Sequence, residues 1–196
     1  IDGAAILKKI AFYLIPLGLF MSLSIFLYQG LFSDPRDHQS SLLEKPMPEF
    51  VLPDLMNIEQ TYTQEVFLGE VTLLNVWGVW CITCAIELPY LKQLQDEGKH
   101  IVGLYYDQDI DPDFGVKTVE RVQQEVTDKL NQLGNPYAYN IFDVKRNLSL
   151  DLGVTGAPET YLIDRQGKIR LHHIGDINPR VWKSKFANMY DELVAQ

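Results

Sequence analysis

The longest feature in the pattern of apolar and polar residues is a run over residues 10–33 that contains no charged side chain. As a helix this run would extend roughly 36 Å, which exceeds the hydrocarbon core of a bilayer at about 30 Å. Lys8 and Lys9 precede the run and Asp34 follows it. Because positive charges stay on the cytoplasmic side, this pattern predicts a single transmembrane signal anchor with the rest of the chain outside the cytoplasm.

A cleaved signal peptide and a buried soluble helix are the alternatives for this run. A signal peptide has an apolar region of about 7–15 residues and a cleavage site made of small residues. Bulky residues such as Tyr28 and Leu31 occupy the end of this run instead, so we favour the retained anchor. The domain organisation that follows is a cytoplasmic N-terminus over residues 1–9, a polar, proline-rich linker over residues 34–48 and a folded domain over residues 49–196.

Within the folded domain, short apolar runs alternate with stretches of helical periodicity. The predicted strands are 50–52, 71–77, 101–106, 137–142, 161–164 and 169–173, and the predicted helices are 81–95, 116–133, 147–152 and 179–194. The last two strands flank residues 165–168, whose sequence Arg-Gln-Gly-Lys is typical of a hairpin. Strands that alternate with helices predict an α/β domain, with a mixed sheet and helices on both of its faces.

The charge balance and the cysteine count narrow the function. A net charge of -9 without a basic cluster argues against nucleic-acid binding. The chain has only two cysteines, too few for a disulfide-rich scaffold or for a four-ligand zinc site. The four histidines, His38, His100, His172 and His173, show no metal-ligand spacing, and we interpret each as a surface residue or a satisfied core residue. We therefore expect neither a metal nor a bound cofactor.

The two cysteines, Cys81 and Cys84, lie where the predicted strand over residues 71–77 gives way to a helix. A helix N-terminus stabilises an anion there, so the Cys81 thiol should ionise readily and act as a nucleophile, provided that partners can reach it. Cys84, one turn further, can then attack a mixed disulfide on Cys81. A structural disulfide, half of a metal site shared with a partner, and a chance pair are the alternatives. The strand–motif–helix context favours redox chemistry.

Pro158 precedes another predicted strand and suggests a cis-proline loop beside the cysteines. Such a loop would leave the backbone of Ala157 free to pair with an extended substrate. Two carboxyl groups are candidates near this site, since Glu87 follows Cys84 on the same helix and Glu159 follows Pro158. Either carboxylate would raise the pKa of a nearby thiol, and one could take up a proton from Cys84. A solvated helix position is the alternative for Glu87, and an ordinary structural role is the alternative for Glu159.

Four stretches of the sequence carry a family resemblance: residues 73–87 (LLNVWGVWCITCAIE), 134–137 (GNPY), 152–164 (LGVTGAPETYLID) and 175–182 (GDINPRVW). They resemble the thioredoxin superfamily and, within it, the CcmG/DsbE family of thiol–disulfide proteins of cytochrome c biogenesis. The resemblance covers about residues 44–194 and implies a thioredoxin fold with an N-terminal extension and a central helical insert.

The resemblance also implies roles for individual residues. Cys81 would be the attacking thiol, Cys84 the resolving thiol and Pro158 the cis-proline, with Glu87 and Glu159 as the acidic residues of the site. The neighbours of this set, Trp80 before Cys81 and Ala157 before Pro158, are counted as supporting residues. Two positions stand out against the wider superfamily. Ile82 lies where such motifs commonly carry proline, and Asn75 replaces a buried Asp, as it does in the CcmG/DsbE family.

The function implied by this resemblance is a specialised reductant at the periplasmic side of the bacterial inner membrane. It would keep the haem-attachment cysteines of apocytochrome c, alone or within its maturation complex, in the reduced state. A membrane reductant of the DsbD/CcdA type would supply the electrons. A general periplasmic disulfide oxidase or isomerase and a copper-handling assembly factor on the same fold are the alternatives. A peroxidase is disfavoured because its lone peroxidatic cysteine motif is missing.

Overall fold

The computed structural model describes residues 3–31, 42–107 and 117–196, with side chains described over residues 12–28 in the first of these ranges. The chain divides into two compact units, residues 1–38 and 39–196. The first residues of the predicted linker, 34–41, lie outside the described residues. The linker prediction is wrong for residues 44–47, because the Glu44 and Met47 N–H groups donate to the carbonyls of Ile169 and Gly167 and Met47 is buried in the folded unit.

The N-terminal unit contains one helix, α1, over Gly3–Leu31, with Pro16 inside it. Its large apolar side chains over residues 12–28 are strongly exposed, for example Phe12 at 74%. Within the described part of the chain, no helix is long and apolar enough to cross a membrane. The anchor expected over residues 10–33, whose last two residues lie outside the described ranges, therefore remains a prediction.

The second unit is built on a five-stranded mixed sheet with the strand order β5-β4-β3-β6-β7. These strands are β3 (Thr72–Trp77), β4 (His100–Tyr105), β5 (Asn140–Phe142), β6 (Glu159–Ile163) and β7 (Ile169–Ile174). Strands β3, β4 and β5 are parallel, whereas β6 runs antiparallel to both of its neighbours. Before the sheet, β1 (Val51–Pro53) pairs with β2 (Thr61–Thr63), and a 3₁₀ turn follows over Gln64–Phe67.

The helices of this unit connect the strands, and the last two follow strand β7. They are α2 (Ile82–Asp96), α3 (Val119–Leu133), α4 (Asn147–Asp151), α5 (Pro179–Val181) and α6 (Ala187–Val194), with a π-helical turn over Trp182–Phe186 between the last two. Helix α2 joins β3 to β4, and α3 lies between β4 and β5. Helix α3 precedes the edge strand β5, and the central helical insert stays a prediction.

Strand β3 lies in the middle of the core, and all of its residues are buried. Side chains alternate along a strand, so Leu73 and Trp77 face one layer while Leu74 and Val76 face the other. The first layer receives α2, α3 and the C-terminal helices, and the second receives α4 and the 3₁₀ turn. The prediction of helices on both faces is confirmed, with the long helices gathered on one face.

Most predicted elements are confirmed within a few residues, and the differences have local causes. Pro53 lies inside β1 rather than after it, as the edge position of such a short strand permits. Helix α3 begins at Val119, because the Thr118 side chain accepts a hydrogen bond from the Arg121 N–H and caps it. The predicted helix over residues 179–194 is interrupted by the π-helical turn. Strand β2 was not predicted.

Candidate active site

The two cysteines lie at the carboxyl end of β3, where the chain turns into α2. Cys81 is the N-cap of α2, and its Sγ accepts a hydrogen bond of 3.0 Å from the Cys84 N–H. The two residues are joined by a disulfide bond. Free amides and the helix dipole at this position favour negative charge, so the site is suited to a thiolate at Cys81 when the bond is reduced. The expected placement of the pair between a buried strand and a helix is confirmed.

The two cysteines differ in their access to solvent. Cys81 keeps 5% of its surface exposed, whereas Cys84 keeps 1%. Access to the pair is therefore narrow and leads to Cys81 first. This asymmetry agrees with the sequence-based assignment of Cys81 as the attacking thiol and Cys84 as the resolving one, although the assignment itself stays a prediction.

The loop before β6 lies directly against Cys81. The Ala157–Pro158 peptide bond is cis, and the Ala157 carbonyl oxygen is 3.4 Å from the Sγ of Cys81. On the other side, the Pro158 carbonyl oxygen accepts a hydrogen bond from the Gly175 N–H. The structure thus brings together Cys81, Ala157 and Pro158, which are far apart in the sequence.

Trp80 holds the turn between β3 and α2 in place. Its indole N–H donates a 3.0 Å hydrogen bond to the carbonyl oxygen of Tyr106, which follows β4. Its ring packs on that of Tyr106, with 5.2 Å between the centroids. Because Trp80 directly precedes Cys81, this contact fixes the backbone on which the first cysteine stands.

Glu87 is buried beneath the cysteines, with 2% of its surface exposed. Its Oε1 accepts a 2.9 Å hydrogen bond from the Asn75 side chain, and its Oε2 accepts a 2.8 Å bond from the Ile177 N–H. Burial raises the pKa of Glu87 to about 8, against the lowering effect of these two bonds, and the negative charge of Asp176 adds to the rise. The alternative of a solvated helix position for Glu87 is wrong.

Glu159 lies on the opposite face of the sheet from Glu87. Its Oε1 accepts hydrogen bonds from the Thr155 N–H, the Thr155 hydroxyl and the Gly156 N–H, at 2.7–3.0 Å. Its Oε2 is 2.7 Å from Nε2 of His172. Burial alone would raise the pKa of Glu159, but the bonds from His172 and Thr155 outweigh it and lower the pKa below its ordinary value.

None of the contacts described for Glu159 involves a cysteine. Its carboxylate instead ties the loop before Pro158 to strand β7, since His172 belongs to that strand. His172 also stacks on Tyr161, with 4.2 Å between ring centroids. The interpretation of His172 as a satisfied residue of the core is confirmed, although its partnership with Glu159 was not predicted.

Asn75, which the sequence marked only as a replacement for a buried Asp, contacts Glu87. Tyr137 and Thr160, which contact Asn75, were not predicted for the site. Asn75 is fully buried in β3, and its Nδ2 also donates to the Thr160 hydroxyl at 3.1 Å. The Tyr137 hydroxyl donates a 2.7 Å hydrogen bond to Asn75 Oδ1. An asparagine within an otherwise apolar strand was the available signal for Asn75. No local signal in the sequence links Tyr137 or Thr160 to it.

Comparison with known proteins gives concordant matches. Residues 43–193 match the family model named Redoxin. A thiol:disulfide interchange protein DsbE of Pseudomonas aeruginosa is 39% identical, over 95% of this chain and 96% of that protein. The DsbE protein of Vibrio cholerae is 42% identical, over 96% of this chain and 97% of that protein. Among solved structures, a secreted thiol-disulfide isomerase from Corynebacterium glutamicum superimposes with a TM-score of 0.56 at 19% identity, over 82% of this chain and 96% of the other, which is a likeness of fold.

Proposed function

Because the chain belongs to the Redoxin family and to the thiol:disulfide interchange proteins named DsbE, we propose that it reduces the haem-attachment cysteines of apocytochrome c in the bacterial periplasm. The family membership makes the chain a thiol–disulfide oxidoreductase with a thioredoxin-like fold. The observation that carries the proposal is the Cys81–Cys84 pair at the N-terminus of α2, with the Ala157 carbonyl beside it.

The reaction needs the dithiol form of the protein. The Cys81 thiolate attacks one sulfur of a substrate disulfide, forms a mixed disulfide and releases the other substrate sulfur as a thiolate. The Cys84 thiolate then attacks the Cys81 sulfur and releases the second substrate thiol. The substrate gains two electrons and two protons, and the protein is left with the Cys81–Cys84 disulfide. A membrane reductant of the DsbD/CcdA type regenerates the dithiol.

Substrate binding is proposed at the loop that precedes β6. The backbone of Ala157 lies against the Cys81 sulfur, so an extended peptide that pairs with this backbone would place its own cysteine within reach. Recognition through backbone hydrogen bonds tolerates different side chains. This suits a substrate that is still unfolded when its cysteines are reduced.

Glu87 is proposed as the proton acceptor for Cys84. It follows Cys84 by one turn of α2, and burial raises its pKa to about 8. An ordinary thiol has a pKa of about 8.5, and proton transfer is efficient between groups of similar pKa. The ionised form of Glu87 would accept the proton of the Cys84 thiol as the Cys84 sulfur attacks the mixed disulfide.

The anchor is part of the same proposal and rests on the sequence. The run over residues 10–33 contains no charged side chain, and apolar runs of about 20 residues are typical of membrane-spanning helices. Exposed apolar side chains such as Phe20 and Phe26, at 67% and 72%, suit a lipid environment better than water. The orientation follows from Lys8 and Lys9 before the run, which leaves the redox domain outside the cytoplasm.

The test is to trap the mixed disulfide in cells. In the full chain, Cys84→Ser removes the resolving thiol, so the partner stays bonded to Cys81. We expect the captured proteins to include one with a Cys-x-x-Cys-His segment. Cys81→Ser is the matched control, because it leaves only the buried Cys84 and should capture little. A broad set of secreted proteins instead, together with a reduction potential near about -120 mV, would identify a general oxidase.

A further inference from the structure

A chain of three buried side chains connects the segment after α3 to Glu87. The Tyr137 hydroxyl donates to Asn75 Oδ1 at 2.7 Å, and Asn75 Nδ2 donates to Glu87 Oε1 at 2.9 Å. Tyr137 and Asn75 are 6% and 0% exposed. Asn75 lies in β3, Glu87 in α2 and Tyr137 between α3 and β5, so the contact exists only in the folded domain.

The amide of Asn75 can face Glu87 in two ways, and they favour different states of the carboxyl group. With Nδ2 towards Glu87 the amide donates, which stabilises the carboxylate. With Oδ1 towards Glu87 the amide can only accept, which requires a protonated carboxyl group. In the structure the Tyr137 hydroxyl donates to Asn75 Oδ1, and this bond goes with the first orientation of the amide.

We propose that Tyr137 is a positioning residue, whose hydroxyl holds the Asn75 amide with its nitrogen towards Glu87 and thereby stabilises the carboxylate that receives the Cys84 proton. This inference rests on the proposed role of Glu87. It assigns a part in the chemistry of the cysteine pair to a residue whose described hydrogen bonds involve neither cysteine.

The ring of Tyr137 is held firmly, so the hydroxyl has a defined position. The ring stacks on Trp77, with 4.9 Å between the centroids. The Trp77 indole N–H in turn donates a 2.9 Å hydrogen bond to Asn140 Oδ1. Gly103 makes this possible, since a side chain there would collide with both Asn140 and Trp77. Removing only the hydroxyl of Tyr137 should therefore leave the ring in place.

The other groups that face Glu87 do not replace this contact. From the loop after β7, the Ile177 N–H donates to the second carboxyl oxygen, and Asp176 raises the pKa of Glu87 through its negative charge. From β6, the Thr160 hydroxyl contacts Asn75 rather than Glu87. Tyr137 itself stays neutral, because burial raises its pKa well above the ordinary value. Asn75 is thus the side-chain donor described for the carboxylate.

The experiment is an NMR titration of the Glu87 carboxyl carbon in the full-length, oxidised protein in detergent, where the cysteines do not titrate. Glutamate is labelled with carbon-13, and Glu87→Gln assigns the signal. In Tyr137→Phe we expect the pKa of Glu87 to rise by about one unit, the size of effect expected when a hydrogen bond to a carboxylate is weakened. An unchanged pKa would overturn the inference.

Tyr105→Phe is the matched control. Tyr105 also packs on Trp77, at 5.4 Å between centroids, but its hydroxyl bonds to Asp107 and to the Val79 backbone rather than to Asn75. We expect the pKa of Glu87 to stay unchanged in this variant. An equal rise in both variants would show that loosened packing, and not the Asn75 contact, moves the pKa.

A double-mutant cycle identifies the route of the effect. In an Asn75→Ala background, Tyr137→Phe should no longer move the pKa of Glu87, and a persistent shift would overturn the inference. If the variants do not fold, the wild-type protein still provides a test, because the Asn75 side-chain amide signal should shift with the same midpoint as Glu87. An Asn75 amide signal that does not shift with pH would contradict the contact between Asn75 and Glu87.

Disulfide exchange is measured on the same samples, with the reduced protein and a model peptide disulfide. If the wild-type protein exchanges disulfides normally but Tyr137→Phe leaves the pKa of Glu87 unchanged, only the proposed role of Tyr137 is refuted. A wild-type protein that does not exchange would refute the proposed function instead.

Discussion

At the residue scale, the two carboxyl groups predicted for the site have opposite surroundings. Glu87 is buried without a cationic partner, so burial dominates and raises its pKa to about 8. Glu159 is buried with His172 and three donors from the loop before Pro158, which lower its pKa. The sequence could identify both residues as candidates. It could not separate their roles, because the difference lies in partners from distant segments such as Ile177 and His172.

The raised pKa of Glu87 predicts a specific pH dependence of stability. The folded protein keeps the Glu87 proton up to about pH 8, whereas the unfolded chain releases it near 4.5. The stability contributed by this group is therefore present at acidic pH and declines as the pH rises through that window. We expect Glu87→Gln to remove this decline, which amounts to roughly 3–5 kcal/mol of unfolding free energy.

The measurement is urea unfolding of the oxidised protein over a series of pH values. The comparison uses the pH slope, because glutamine also loses one hydrogen bond with the Ile177 N–H or with Asn75, and this cost does not vary with pH. Tyr105→Phe serves as a control with an unaltered slope. Parallel curves for wild type and Glu87→Gln between about pH 5 and 8 would show that Glu87 is ionised throughout.

The lowered pKa of Glu159 predicts the opposite pH dependence of stability, confined to the loop beside Cys81. Glu159→Gln keeps one acceptor oxygen but loses the charge, so the bonds to Thr155 and Gly156 weaken. We expect the amide hydrogens of these two residues to exchange about tenfold faster, as for a loss near 1.4 kcal/mol. The slower exchange of the wild type should be fully present above pH 4.5, the ordinary pKa of a glutamate. It should be lost as the pH falls further, because the carboxyl group of Glu159 then becomes protonated in the folded protein as well.

Hydrogen exchange followed by NMR measures this effect residue by residue. Exchange at Leu73, in the centre of β3, is the internal control and should change less than exchange at the loop. Unaltered exchange at Thr155 and Gly156 in the variant would mean that the loop is held by its other contacts, such as the bond between Pro158 and Gly175.

At the element scale, the sequence was most informative where a pattern is local. Strand β3 is a short apolar run, α2 starts at a capping residue, and β6 and β7 flank a turn sequence, so each could be predicted from adjacent residues. The β1–β2 pair could not, because β2 is only Thr61–Thr63 and acquires its structure from pairing. The same reason kept Tyr137 out of the predicted site, since its partner Asn75 lies in β3, far away in the sequence.

Helix α2 exposes two apolar side chains next to the cysteines. Ile82 and Ile86 are 81% and 69% exposed and lie one turn apart. A protein bonded to Cys81 must lie close to this surface, because Ile82 follows Cys81 directly. We expect Ile86→Ser to slow exchange with a protein disulfide by about tenfold, since the partner loses apolar contact area. Exchange with glutathione disulfide, which is too small to cover Ile86, should be unchanged.

Stopped-flow tryptophan fluorescence, which follows oxidation of the cysteine pair, measures both rates. Val51→Ser is the matched control, because Val51 is equally exposed, at 71%, but belongs to β1 rather than to α2. It should alter neither rate. Equal losses for both disulfides in Ile86→Ser would indicate a change at the cysteines and refute a docking role.

At the scale of the whole molecule, the chain combines two units with different demands on their surroundings. The unit over residues 39–196 contains two buried layers of large apolar side chains, one on each face of the sheet. Residues 12–28 of α1 expose theirs. The division was predictable, because an uncharged run of this length stands out in any sequence. A fractionation experiment in cells tests whether this run spans a membrane.

The proposed anchor predicts how the protein fractionates in a bacterium with a periplasm. We expect the protein to stay in the membrane pellet after extraction with alkaline carbonate. Leu17→Arg combined with Phe20→Arg should release it, because each arginine near the centre of a spanning helix costs about 2.5–3.5 kcal/mol on insertion scales. A matched pair, Ile58→Arg with Val51→Arg, adds the same charge to exposed positions of the redox domain and should leave the protein in the pellet.

The same cells test on which side of the membrane the redox domain lies. After reduction, a maleimide that cannot cross the inner membrane should label Cys81 once the outer membrane is permeabilised, and Cys81→Ser should lose most of this labelling because Cys84 is more deeply buried. Labelling only after the inner membrane is broken would place the cysteines in the cytoplasm. There the thiol pool keeps substrate cysteines reduced without a dedicated protein, so that result would remove the reason for a reductant as well as the orientation.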